Sequence, residues 1–210
     1  MCSSDLALIL KAMTKTGSKR PVYISFDEWA SGFGNSITVS LMAAQHLNSF
    51  IRHADIVKMA NMTMLSNLVG HKPEGVYKNA TFMTFRLYTH NCTGTSLDVI
   101  TSCEKYSNEI FKDIPYLDVT AVLNSEAGNL VISVVNRHET KAIETDIELQ
   151  TGEFTGSAKV NELNGKIADP ANPRAEEPVS NTSSEIRFKG NTVTYTFPAH
   201  SFTQIIVPLK

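Results

Sequence analysis

Tyr23-Ile24-Ser25-Phe26-Asp27-Glu28-Trp29, with Ala30-Ser31-Gly32-Phe33-Gly34-Asn35 after it, decides how the first half of the chain is read. Pro21 opens a short run, Val22 to Phe26, that is β-branched and aromatic on both faces. Such a run fits a strand covered on both sides, as in a parallel sheet. It ends in two carboxylates and a tryptophan, then a loop of small residues. Asn35 or Ser36 can cap the next element. Ile37, Leu41, Ala44, Leu47 and Ile51 recur at steps of three and four, so the spacing predicts a helix that ends near His53-Ala54-Asp55.

Working outward, Leu8, Ile9, Ala12 and Met13 carry helical spacing that Gly17 can stop. Ile56 to Ala60 reads as a second strand, Gly70 to Asn79 as a polar loop, and Thr81 to Cys92 as a helix. Phe82, Phe85 and Tyr88 are expected on one side of that helix, and Gly94 stops it. Strands alternating with helices imply a parallel sheet. Two such strands do not make a stable sheet alone, so this half is expected to belong to something larger.

The second half has another grammar. Val119 to Leu123, Leu130 to Val135, Ile143 to Leu149, Ala158 to Leu163 and Ser201 to Val207 read as strands. Asn164-Gly165 reads as a turn. Ile186 and Phe188 before Gly190-Asn191, with Val193, Tyr195 and Phe197 after it, read as a hairpin. Ala168 to Ser184, with three prolines, reads as a surface loop. Short strands separated by turns indicate a β-sandwich.

The 210 residues carry 19 Lys and Arg against 21 Asp and Glu, a formal net charge of −2. That balance gives no electrostatic footprint for nucleic acid or an acidic membrane. No apolar run is long enough to span a bilayer. The three cysteines have no metal spacing, and none of the six histidines pairs at ligand spacing, so neither metal nor cofactor is expected. The cysteine usage fits a reducing, cytoplasmic compartment, while a leader could stand upstream of this sequence. Met1 to Leu6 reads as the translation of a sequencing-adapter end, so residues 1–6 are expected to be foreign and the natural chain to extend further.

The chemistry centres on Asp27-Glu28-Trp29. A carboxylate at the C-terminal end of a parallel strand stands where catalytic groups project in a (β/α) barrel. In a regular strand Glu28 would share a face with Ile24 and Phe26. Glycosidases use carboxylates beside aromatic platforms. From spacing alone the segment fits better an acidic pair capping a loop beside a packed tryptophan, since Asp-Glu-Trp by itself is not a specific motif. His46, His53, His138 and His200 read as structural or surface residues, and Arg52 and Lys58 as element-end charges. No G-x-S-x-G elbow and no complete dinucleotide fingerprint occurs.

Tyr23 to Trp29 resembles the strand-seven segment of glycoside hydrolase family 51, the α-L-arabinofuranosidases. So does Leu47 to Asn61. Thr95-Ser96-Leu97-Asp98-Val99, Pro115-Tyr116-Leu117-Asp118-Val119, Val134-Val135-Asn136-Arg137-His138, Glu162-Leu163-Asn164-Gly165 and Phe197-Pro198-Ala199-His200-Ser201 continue the similarity in order. The resemblance implies a partial (β/α)8 barrel over residues 7–94, its last two strands and flanking helices. An antiparallel β-sandwich of jelly-roll type would follow over 95–210.

The resemblance also implies a retaining hydrolase for arabinofuranosides of arabinan, arabinoxylan or their oligosaccharides. Glu28 would be the nucleophile, Trp29 and Phe33 the substrate-binding aromatics, and a homo-oligomer the full-length state. The family's acid/base, a Glu after an Asn, has no counterpart here, so the chain alone is expected to be inactive. Phe33 stands where many members have a second Trp, and Met64 where many have a sugar-contacting Gln, which bears on specificity. The competing expectation is a non-catalytic carbohydrate-binding or scaffolding chain that keeps the sandwich and a barrel remnant. Binding of arabinan by the 210-residue chain, without turnover by any longer form, would distinguish it.

Overall fold

The computed structural model describes residues 11, 15, 23–32, 34–167 and 179–209. Leu8, Ile9, Ala12 and Met13, which carry the first expected helix, the adapter-like residues 1–6, and Phe33 lie outside the described residues.

Strand β1 (Ile24–Trp29) pairs in parallel with β2 (Val57–Met62), and helix α1 (Ile37–Arg52) connects them. A 3-10 turn at Leu65–Asn67 leads into β3 (Val69–Lys72) and β4 (Gly75–Lys78). These form an antiparallel hairpin where the sequence suggests a polar loop. Helix α2 (Ala80–Asn91) follows. Its buried positions are Ala80, Thr81, Thr84 and Tyr88 rather than a stripe of Phe82, Phe85 and Tyr88. Tyr88 stacks on Phe202, 5.2 Å between centroids, whereas Phe85 turns toward Trp29.

The remaining strands are β5 (Thr95–Leu97), β6 (Lys105–Tyr106), β7 (Ile114–Pro115), β8 (Leu117–Asn124), β9 (Asn129–Asn136), β10 (Ile143–Glu148), β11 (Phe154–Gly165), β12 (Val179–Gly190), β13 (Thr192–Phe197) and β14 (Ser201–Pro208). A six-stranded antiparallel sheet runs β12-β11-β14-β9-β8-β5, and β10 pairs with β13 in a second layer. These two layers form the sandwich.

Three sequence expectations change here. Residues 179–184, read as loop, belong to β12. Asn164-Gly165 is strand, paired with Ser180 and Val179. Gly190-Asn191 closes no hairpin. β12 pairs with β11 and β13 with β10, so the chain changes sheets at Gly190, whose φ of 90° suits a glycine.

Both faces of the large sheet are covered, which explains why β9 is buried along nearly its whole length. Leu130, Ile132, Val134, Ala158, Val160, Ile205 and Val207 form the core shared with the second layer. The alternate residues Val135, Leu163 and Phe202 meet Ile37, Leu41, Ala44 and Tyr88 of the helices. Period-two alternation thus feeds two cores from one sheet.

Gly94 joins α2 to β5 with φ 138°, and a Cβ placed there would overlap the carbonyl oxygen of Leu123. Backbone cannot yield as a side chain does. Gly94→Ala is therefore expected to destabilise the chain by at least about 2 kcal/mol, read as a lowered urea midpoint at unchanged slope.

Candidate active site

β1 does not stay regular. Phe26 pairs with Ala60 and Trp29 with Met62, so three residue steps on β1 face two on β2. The extra residue is a bulge at Asp27-Glu28. It shifts the phase of the strand and brings Trp29 to the face that Ile24 and Phe26 already occupy. Trp29 is 6% exposed and enclosed by Phe50 at 5.4 Å, His46 at 5.7 Å and Phe85 at 6.2 Å between centroids. The open aromatic platform expected from the sequence is in this chain a core residue under α1. Its indole Nε1 is buried with no hydrogen-bond partner among the described residues.

The same bulge leaves Glu28 exposed at the end of the strand rather than packed with Ile24 and Phe26. Asp27 is exposed too, and its Oδ1 accepts a 2.5 Å hydrogen bond from Ser25 Oγ. The two neighbouring carboxylates therefore differ: Asp27 is held by its own strand, whereas Glu28 projects free of Ile24 and Phe26. Asn61, exposed on β2, sits across the bulge between the flanking partners Ala60 and Met62. The sequence places it only within the family-like segment that ends at Asn61, and the pairing register adds its position across the bulge.

Beyond β2, Thr63 N donates to Trp29 O at 2.9 Å and ties the two strand ends together. Met64 follows, 57% exposed, with a left-handed φ of 61°. The turn is held by Asn67, whose backbone N–H donates to Met64 O and whose Nδ2 donates to Thr63 O. A β-unbranched residue in that region stores strain, of a kind that gathers at functional sites. Met64 thus stands on the same rim as Glu28, as its place two residues past the Trp29–Met62 pair requires. Two clefts, of about 230 Å³ around Cys103 and Lys141 and about 360 Å³ around Asn35 and Tyr77, do not include Glu28. The carboxylate stands on an open surface.

The other candidates fall into structural places. Arg52 is an ion-pair partner of Asp118 at 2.5 Å, and Lys58 Nζ donates to Ala54 O. His138 Nδ1 accepts from the backbone N–H groups of Thr140 and Lys141, and His200 Nδ1 lies 2.7 Å from Glu139 O. Cys92 is half-buried beside Ser133, and desolvation pushes its thiol up to about 11, out of the reactive range at neutral pH. Among the described residues no group of three His, Cys, Asp or Glu is placed to hold a metal. No described helix is long and apolar enough to cross a membrane.

Comparison with known proteins supplies the context. The family described as Alpha-L-arabinofuranosidase C-terminal domain matches residues 27–201. A probable α-L-arabinofuranosidase C of Aspergillus clavatus is 32% identical over 95% of this chain and 42% of that protein. An intracellular exo-α-(1→5)-L-arabinofuranosidase 1 of Bacillus subtilis is 27% identical over 87% of this chain and 42% of that protein. The solved structure of the thermostable family 51 α-L-arabinofuranosidase of Thermotoga petrophila superposes with a TM-score of 0.77 at 22% identity. The match covers 90% of this chain and 44% of that one. The chain spans about two fifths of the length of the curated relatives it matches.

Burial lowers the His46 pKa from its ordinary 6.5, against a smaller opposing effect of its hydrogen-bonding contact with Met42 O. The unfolded chain then binds the proton more readily than the folded one, so stability rises with pH through this window. Acidification below about 6.5 is expected to loosen the Trp29 packing. His46→Phe should lose part of the fall in Tm between pH 7.5 and pH 5 that the unsubstituted chain shows in calorimetry.

Proposed function

This chain belongs to the α-L-arabinofuranosidase C-terminal domain family, and on that footing we propose that it is the C-terminal part of a retaining α-L-arabinofuranosidase with Glu28 as nucleophile. The observation that carries the reading is Glu28 itself: an exposed carboxylate at a bulge on the C-terminal end of a parallel strand, inside the family match. β1 and β2 would be the last two strands of a (β/α)8 barrel, and the sandwich would have jelly-roll connections. In such a barrel, strand ends of this kind carry the reacting groups.

In the reaction, a Glu28 carboxylate oxygen attacks the anomeric carbon as the bond to the leaving oxygen breaks. A second carboxyl group gives that oxygen a proton. The resulting glycosyl ester is then hydrolysed by water, with the second group now taking the proton. For this sequence of steps the two carboxyls need to lie about 5–5.5 Å apart. The described residues offer Glu28 no such partner suited by the family pattern, so the acid/base would come from the rest of a longer polypeptide. The 210 residues alone would then turn over no substrate.

Trp29 contributes by fixing the strand end from beneath, and Phe33 would supply the sugar-facing wall. Met64, with no amide to offer a sugar hydroxyl, would alter the preference among furanosides. The substrates would be terminal α-L-arabinofuranosyl groups of arabinan, arabinoxylan or their oligosaccharides, and the complete protein would assemble as a homo-oligomer.

The test is Glu28→Ala in the complete polypeptide, assayed on an aryl α-L-arabinofuranoside. Turnover should fall by at least about a thousandfold, and azide should restore aglycone release by standing in for the lost carboxylate. Near-normal kcat in that variant, or turnover by the 210-residue chain alone, would overturn the reading. Binding of arabinan by the chain with no turnover in any longer form would favour a carbohydrate-binding role instead.

A further inference from the structure

Helix α1 carries two sets of contacts on roughly opposite faces. On one, Asn48 Nδ2 donates to Asp118 O at 3.1 Å, while Asn48 Oδ1 accepts from Thr120 Oγ1 at 2.7 Å and from the Tyr88 hydroxyl at 2.6 Å. Arg52 Nη1 lies 2.5 Å from Asp118 Oδ1, and Arg137 Nη2 lies 3.1 Å from Asp118 Oδ2. Arg137 Nε also donates to Gln45 Oε1 at 2.6 Å, which returns the network to the helix. On the other face, His46 and Phe50 hold Trp29, the residue next to Glu28.

Asp118 is 5% exposed and sits on β8 of the sandwich. A carboxylate with that little water is stable there only while both guanidinium groups face it. The pairing therefore sets the position of α1 along β8 within narrow limits. A packed helix moves as a body, so any slip at Asp118 appears at Phe50 and His46, and through Trp29 at the bulge that presents Glu28. Hydrophobic contacts alone would let the helix slide by fractions of a side chain, whereas directional bonds from Asn48, Arg52 and Gln45 do not.

We propose that Asp118, with Asn48 and Thr120, is a positioning residue for Glu28: the sandwich acts through helix α1 as the footing that sets where the carboxylate points. The kinetic side of this rests on Glu28 being the nucleophile, while the mechanical link from Asp118 to β1 does not.

Two measurements test it. In the complete polypeptide, Asp118→Asn should speed amide exchange in Ile24–Trp29 as well as in α1, read by hydrogen–deuterium exchange. Loosening confined to α1 and β8, with β1 unchanged, would overturn the link. In the complete polypeptide, Asp118→Asn and Thr120→Val should each lower kcat by about ten- to a hundredfold with KM within about twofold, the scale of a misplacement near 1 Å. Thr120→Ser, which keeps the hydroxyl, should restore kcat.

The effects of Asp118→Asn and Trp29→Phe on kcat should fail to multiply, since both act through the same strand end. Multiplicative effects, a change in KM at constant kcat, or no rescue by serine would each refute the positioning role. If Glu28→Ala keeps full turnover, the nucleophile assignment fails, and the exchange result still decides the mechanical link.

Discussion

The double-sided burial of helix α1 is the constraint on which the rest depends. Ile37, Leu41 and Ala44 pack on Val135, Leu163 and Phe202 of the large sheet, while Phe50 packs on Val57 and Trp29 beneath the parallel pair. Leu47 touches both groups. A helix buried on two sides has little room for water-facing residues. The small Ser40 hydroxyl is buried with no partner among the described residues, but the larger polar groups must find partners inside. Asn48 does so with three bonds, and Arg52 with an ion pair at the rim. The apolar contacts supply the larger part of the stabilisation and the polar ones select one registration of helix on sheet.

The six-stranded sheet is the other half of that constraint. It feeds one core through Leu130, Ile132 and Val134 and another through Val135 and its neighbours, so β9 reads as a continuous apolar run. The side facing the helices also holds Gln204, which accepts from Asn91 Nδ2 at 2.6 Å and donates toward Ser133 Oγ at 3.2 Å. Asn91 of α2 and Gln204 of the sheet thus share a partly buried hydrogen bond across this seam, while the Thr81 and Thr84 hydroxyls of the same helix are buried with no partner among the described residues.

Elements with strong period were legible before the fold was seen. α1 was readable from its apolar steps, and β8, β9 and β14 from their β-branched runs, whereas Glu28 stood out through the family resemblance of Tyr23 to Trp29 rather than through spacing. What escaped had a physical reason. β12 begins Val179-Ser180-Asn181-Thr182-Ser183-Ser184, with no apolar alternation, and is a strand because β11 offers it twelve paired positions. β3 and β4 are four residues each and mostly exposed, so their pairing rather than burial defines them. Trp29 lies beneath α1 because of one extra residue on β1, and a bulge leaves no mark in composition. Thr81 and Thr84 take the buried face of α2 together with Tyr88, a face that the larger Phe82 seemed suited to.

The outer strand of the large sheet shows how such an architecture avoids unwanted company. Among the described residues β12 pairs only with β11, so a ribbon of twelve residues offers its other backbone edge to solvent. Ile186 and Phe188 turn inward to the core, and Glu185, Arg187 and Lys189 alternate with them outside. A foreign strand seeking that edge would have to lay its own side chains against three charges of mixed sign and strip them of water. The rim therefore behaves as a guarded border: open enough to stay hydrated, yet hostile to the fibrous stacking that a smooth apolar ribbon of the same length would invite.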